Sequence, residues 1–295
     1  MVEAVSELPP AGQIDRFLRT GDHDPLFADW PGRNVLERAV GGSEALRDAL
    51  IAQVRQREAA VTVRLPAALA QGDFVPLTRA KVGPMVRGLF TRREAGPVLA
   101  LLERAVVFLG PGNIEAVIRK EKWLETAWEV ANLYLGSIGA RVLSEDGRCA
   151  VGISVGTTCY VSLEYFTVED PFADFVVHEA AHVFHDTKRR TAGLKQTRRR
   201  EWLLPIDFGM RETFAYACEA YSRILRDSRR PADRQALLEK LKETPPPQDD
   251  RLDLEVYLPC VEEAVSRRNG WKAILEACSP KDARFRQPER LKTEA

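Results

Sequence analysis

Between Phe172 and Phe184 the side chains of Phe172, Phe175, Val176, Val177, Val183 and Phe184 make a helical projection apolar nearly all round. A helix that is apolar all round has no face to give to water, so it has to be buried inside a larger body. Within this run stand His178, Glu179 and His182, separated by Ala180 and Ala181. Polar groups buried without partners are costly, so the fold has to bring them hydrogen-bond partners or a metal ion. The two alanines leave room for another helix to pack close beside them.

The spacing has a mechanical meaning. Residues i and i+4 of a helix lie one turn apart on one face, so the imidazoles of His178 and His182 can reach the same ion. Glu179 can then reach a water on that ion and act as general base, the arrangement known as HExxH. The cofactor expected from this donor set is Zn2+, and the expected reaction is hydrolysis of an amide bond.

The surrounding chain reads as α+β and mostly helical. Helices are expected over 43–60 (capped by Ser43), 97–109, 113–135 (capped by Asn113), 170–186 (capped by Asp170, with Pro171 first), 210–227, 231–243, 250–268 and 271–278. Residues 1–40 read as irregular. Residues 61–97, broken by Pro66, Gly72, Pro76, Gly83, Pro84, Gly88 and Pro97, read as short elements joined by turns. Residues 139–166 read as a small antiparallel sheet. Its first hairpin pairs 141–143 with 149–154 around Asp146-Gly147, and a strand follows over 159–166. Three regions result: a mostly helical one over 1–112, a catalytic core over 113–227, and a helical one over 228–295 with a loose tail.

Composition excludes some classes. Lysine plus arginine total 43 and aspartate plus glutamate also total 43 among 295 residues, so net charge gives no pull toward nucleic acid or acidic lipid. Local charge is another matter. Lys188, Arg189, Arg190, Lys195, Arg198, Arg199 and Arg200 put seven cations in one stretch with no acid among them. It reads as a solvated, mobile loop, or as a patch for an acidic partner. With no apolar run long enough to span a bilayer and no signal-peptide pattern, the chain is expected to stay off the membrane. Five scattered cysteines fit reduced thiols in a cytoplasmic protein.

The stretch from 139 to 225 resembles the zincin metallopeptidases, whose HExxH helix lies beside a small sheet with a substrate-binding edge strand. Glu212-Thr213-Phe214-Ala215, thirty residues after His182, is similar to the third-ligand helix of gluzincins, including the lethal-factor type. The resemblance implies a hydrolase, specifically a protease acting on a peptide or protein. Its metal ligands would be His178, His182 and Glu212, with Glu179 as catalytic base. The acidic residue that many gluzincins carry four positions after the third ligand is replaced here by Tyr216. Glu219, one turn further on, is either a support for a histidine or an alternative ligand. His185, about 10 Å along the helix from His178, is expected beside the site or against substrate. The pattern HExxHxxGxxH is not present. Two other readings stay open: a deformylase-like site using Cys149 or Cys159, and a non-catalytic regulator or binding protein whose metal is structural or lost.

Overall fold

The structure is a computed structural model that describes residues 10–63, 74–144, 151–167, 170–198 and 200–280. In chain order the elements are α1 (Ala11–Thr20), α2 (Val35–Glu58), α3 (Val75–Leu89), α4 (Arg92–Ala105), β1 (Val106–Phe108), α5 (Ile114–Lys120) and α6 (Leu124–Ser137). There follow β2 (Gly152–Val155), β3 (Thr158–Val161), α7 (Phe175–Asp186), α8 (Arg211–Asp227), α9 (Pro231–Glu243), α10 (Leu254–Ser266) and α11 (Gly270–Cys278). The class is α+β and mostly helical. The sheet has the order β1-β3-β2 and is mixed rather than wholly antiparallel. No helix among the described residues is long and apolar enough to cross a membrane.

Chain contacts group the residues into two units, neither continuous in sequence. The first comprises Met1–Asp73, Val107–Val155 and Tyr160–Val168. Its core joins Phe17 of α1, Leu46, Leu50 and Val54 of α2, Ile114 and Ile118 of α5, and Val130 and Tyr134 of α6, all buried. The second comprises Phe74–Val106, Gly156–Cys159 and Glu169–Ala295. In it α7 packs against α8 and α3, and α10 and α11 pack against α8.

Several expected elements are redrawn. Residues 1–40 hold α1 and the start of α2, which is capped by Asn34 accepting from Glu37 N at 2.9 Å. Ser43 lies inside α2 and accepts from Arg47 instead. The Gly- and Pro-rich stretch contains α3, whose fifteen residues include Pro84. The helix expected over 97–109 starts at Arg92 and gives way to β1 after Ala105. The long helix expected over 113–135 is two, α5 and α6. Glu121 breaks it, its carboxylate accepting from Lys122 N at 2.7 Å and Trp123 N at 3.3 Å.

The sheet differs most. Residues 141–144 form no strand, because Asn132 Oδ1 takes the amides of Leu143 at 2.7 Å and Ser144 at 3.3 Å. The Asp146-Gly147 turn lies outside the described residues. The observed hairpin joins β2 to β3 through Gly156, whose φ of 59° is the left-handed value such a tight turn requires. The strand expected over 159–166 ends at Val161, and residues 163–166 turn into a 3-10 helix. β3 is the middle strand, paired on both sides, so it offers no open edge for an extended peptide.

Candidate metal centre

α7 is shorter than expected at its start. Asp170 caps a turn, accepting from Phe172 N at 2.7 Å, and the helix begins at Phe175. It is nonetheless buried almost all round, with Val176, Val177, Ala180, Ala181, Val183 and Phe184 no more than 1% exposed. Its partner α8 carries Ala215, fully buried and beside the stripe of Glu212 and Glu219, so the two backbones can approach closely. The connecting segment is tied down by Leu203 N donating to Thr187 O at 2.9 Å and Leu204 N to Phe184 O at 3.0 Å.

Along α7, His178, His182 and His185 form one stripe. Along α8, Glu212, Tyr216 and Glu219 form another with the same spacing. Three donor atoms converge. His178 Nε2 and His182 Nε2 are 3.1 Å apart, and Glu212 Oε2 lies 3.6 Å from the first and 3.3 Å from the second. Among the described residues these three side chains form the cluster able to hold a metal ion.

Each imidazole is held by its other nitrogen. His178 Nδ1 lies 3.2 Å from Glu219 Oε2, and Glu219 Oε1 accepts from Asp174 N at the head of α7. Glu219 is therefore a support of His178 and not one of the three converging donors. His182 Nδ1 lies 2.9 Å from His185 Nε2, and His185 Nδ1 lies 3.0 Å from Asp186 Oδ1. Because carboxylates only accept, these contacts put a proton on Nδ1 of each of the three rings and turn Nε2 of His178 and His182 toward the cluster.

Glu212 is gripped from behind. Arg251 Nη1 donates to Glu212 Oε1 at 2.7 Å, and Arg251 Nη2 donates to Asp249 Oδ2 at 2.7 Å. The loop carrying Arg251 is fastened to α8 where Asp253 N donates to Thr213 Oγ1 at 2.9 Å. Glu212 thus points one oxygen at the histidines and spends the other on a guanidinium.

The electrostatics follow. Burial works against a charged His178, but hydrogen bonds to Glu212 and Glu219 outweigh it and raise its pKa to about 10. Burial likewise works against ionised Glu212, yet the two imidazoles hold its carboxyl far below the usual range. As the side chains stand, a proton shared at the cluster does what a cation would do, and a cation would displace it. Burial lowers the pKa of His185, in keeping with a neutral ring that accepts from His182.

Glu179 follows His178 on α7, is 7% exposed, and acts electrostatically on the His178 ring. Tyr216 packs edge-on against His178, ring centroids 4.4 Å apart. Burial and the nearby carboxylates of Asp249, Glu219 and Glu212 push its phenol up to about 12, so it keeps its proton near neutral pH. Phe175 stacks on the same imidazole with centroids 6.3 Å apart.

Cys159 is buried in β3 and takes no part in the cluster, and Cys149 lies outside the described residues. The basic stretch is less free than its sequence implies. Arg189 is buried and pairs with Glu94, Arg200 pairs with the same carboxylate at 3.0 Å, and Lys188 pairs with Glu201 at 2.7 Å. The acids come from outside the stretch, which is why the sequence reads as unbalanced there. Arg251, Asp249 and Asp174 escape sequence reading altogether. Arg251 and Asp249 have no spacing that links them to the HExxH residues, and Asp174, one turn before His178, reads only as a member of the same helix.

Comparison with models of known protein families, with curated proteins and with solved structures finds no match to this chain.

Proposed function

We propose that this protein is a zinc-dependent metallopeptidase of the gluzincin type, with His178, His182 and Glu212 as ligands and Glu179 as general base. The observation that carries the reading is the triangle of donor atoms, 3.1, 3.3 and 3.6 Å on its sides. With zinc bonds of about 2.0–2.1 Å, tetrahedral donors stand about 3.3–3.4 Å apart, and the observed sides bracket that value. Two imidazoles and one carboxylate are also a donor set used by catalytic zinc, which leaves a fourth position for water or substrate.

When bound, zinc supplies Lewis acidity that lets water lose a proton near neutral pH. The chain's own groups do the rest. Glu219 and His185 hold the imidazoles in the ligating tautomer, and Arg251 keeps Glu212 aimed by one oxygen. Glu179 accepts the proton of the attacking water and later passes it to the leaving amine nitrogen. Tyr216, protonated and packed against His178, would hydrogen-bond the developing oxyanion.

The test pairs metal analysis with turnover. Purified parent protein is expected to carry close to one zinc per chain, lost in His178→Ala. Glu179→Gln is expected to keep the zinc while cutting cleavage of a mixed peptide library at least about a hundredfold. Zinc-free parent protein, or undiminished cleavage by Glu179→Gln, sinks the proposal. Stoichiometric zinc with no cleavage of any peptide favours the non-catalytic binding protein.

A further inference from the structure

A cavity of about 310 Å³ opens in the second unit beside the metal centre. Tyr216 and Glu219 form part of its wall, and both also touch the His178 ring. Phe172, Ala173, Leu241, Leu254 and Leu258 supply apolar walls, and Pro245-Pro246-Pro247 close it. We propose that this cavity receives one bulky uncharged side chain, aromatic or branched aliphatic, of the substrate cleaved at the metal centre. The inference rests on the metallopeptidase reading above and names the substrate feature that this chain selects.

Four observations lead there. The first is continuity. Thr244 to Pro247 line the cavity, and a few residues on the same segment reaches Asp249 and Arg251, which grip Glu212. One loop therefore shapes both the cavity and the third ligand. The second is charge. Both oxygens of Glu219 are already engaged, by Asp174 N and His178 Nδ1. The Lys242 ammonium sits with Glu239 at 3.3 Å and Glu262 at 3.1 Å, leaving its methylene stem for the wall. Asp170, among the lining residues, disfavours an acidic side chain.

The third is size and stiffness. Small-ligand cavities run from roughly 300 to 1,000 Å³, so this one, at the lower end, suits a side chain rather than a large cofactor. Three consecutive prolines fix their φ angles, so the wall needs little ordering when it is filled. The fourth is exposed apolar surface. Leu254 lines the cavity and is 49% exposed, so filling the cavity would cover leucine that now faces water. The walls from Leu241 to Leu258 lie beyond residues 139–225, so the family resemblance says nothing about them.

Zinc-loaded full-length protein is titrated with five hydroxamates, which share a zinc-binding head and differ in side chain. These are acetohydroxamate, 3-phenylpropanohydroxamate, 4-methylpentanohydroxamate, 5-aminopentanohydroxamate and the monohydroxamate of succinate. The phenyl and isobutyl probes are expected to bind at least about tenfold tighter than acetohydroxamate, the worth of burying one such side chain. That gain is expected to fall below about threefold in Ala173→Leu, which fills the cavity. It should fall likewise in Leu254→Asp, which charges its exposed mouth. Equal affinity for all five probes, tightest binding of the charged ones, or a gain that survives both substitutions overturns the cavity assignment while leaving the metal centre standing. Failure of acetohydroxamate itself to bind zinc-loaded protein overturns the metallopeptidase reading, and this inference with it.

Discussion

A histidine that binds a metal has a second nitrogen to satisfy, and the rings of His178 and His182, two of the three side chains able to hold an ion, do so differently. His178 uses the buried carboxylate of Glu219, whereas His182 uses the neutral ring of His185. A carboxylate both orients the ring and raises its basicity, so it contributes more. Glu219→Ala is therefore expected to weaken zinc binding by about 10- to 100-fold, and His185→Ala by less, as read by competition with a chromophoric chelator. Equal or stronger binding by Glu219→Ala would show that the carboxylate does not support the ligand. At this scale the sequence was most legible where one helix sets the geometry. The convergence of His178 and His182 follows from spacing alone, and the position of Glu212 beside them follows from resemblance. Spacing could not say whether Glu212 or Glu219 takes the ion. That depends on how far α8 slides along α7, which is a matter of packing. Arg251 was invisible for the same reason.

Element boundaries depart from the periodic pattern where a side chain takes backbone amides or a neighbouring element packs close. Glu121 splits the helix expected after Asn113 by taking two backbone amides, and it also accepts from the Tyr160 hydroxyl. The glycines and prolines of α3 read as breaks in the sequence, yet Gly88 serves packing. A Cβ on Gly88 would stand 2.6 Å from Trp271 Cγ and 2.8 Å from Trp271 Cβ, so α11 lies against bare backbone. Gly88→Ala is expected to cost about 1–3 kcal/mol in urea unfolding, with part of the loss recovered in Gly88→Ala/Trp271→Leu. No change in the single variant would mean that α3 and α11 are not so close.

A second element-scale prediction concerns Glu94. Its carboxylate accepts from Thr91 N at 3.2 Å at the start of α4 and also binds buried Arg189 in the basic stretch. Burial would raise its pKa, but the Arg189 and Thr91 hydrogen bonds and the charge of Arg200 outweigh this and bring it from 4.5 down to about 2. A depressed carboxyl pKa stabilises the fold above the unfolded value, and that stability is lost as pH falls through the folded one. The parent should thus lose about 3 kcal/mol between pH 4.5 and 2. Glu94→Gln should lack that part of the pH dependence and be weaker by about the same amount at pH 6, because it leaves Arg189 buried without its counter-charge. Unfolding curves at pH 6, 4 and 3 that superimpose in slope for parent and variant would refute the pairing.

At the scale of the whole molecule, every residue of the metal centre and of the cavity beside it belongs to the second unit. The donors sit on α7 and α8, and the segment 249–253 braces them. An ion that binds only the folded centre stabilises what must be folded to form it, by about 2.7 kcal/mol at a hundredfold excess over its dissociation constant. The core of the first unit joins α1, α2, α5 and α6 and contains none of these donors. Zinc is therefore expected to slow amide hydrogen exchange in α7, α8 and residues 249–253 by up to about a hundredfold. Exchange in α2 and α6 should move far less, and His178→Ala should abolish the difference. Uniform protection across α2, α6, α7 and α8 would mean that the two units unfold as one cooperative body. Protection confined to α2 and α6 would place the ion somewhere other than between His178, His182 and Glu212.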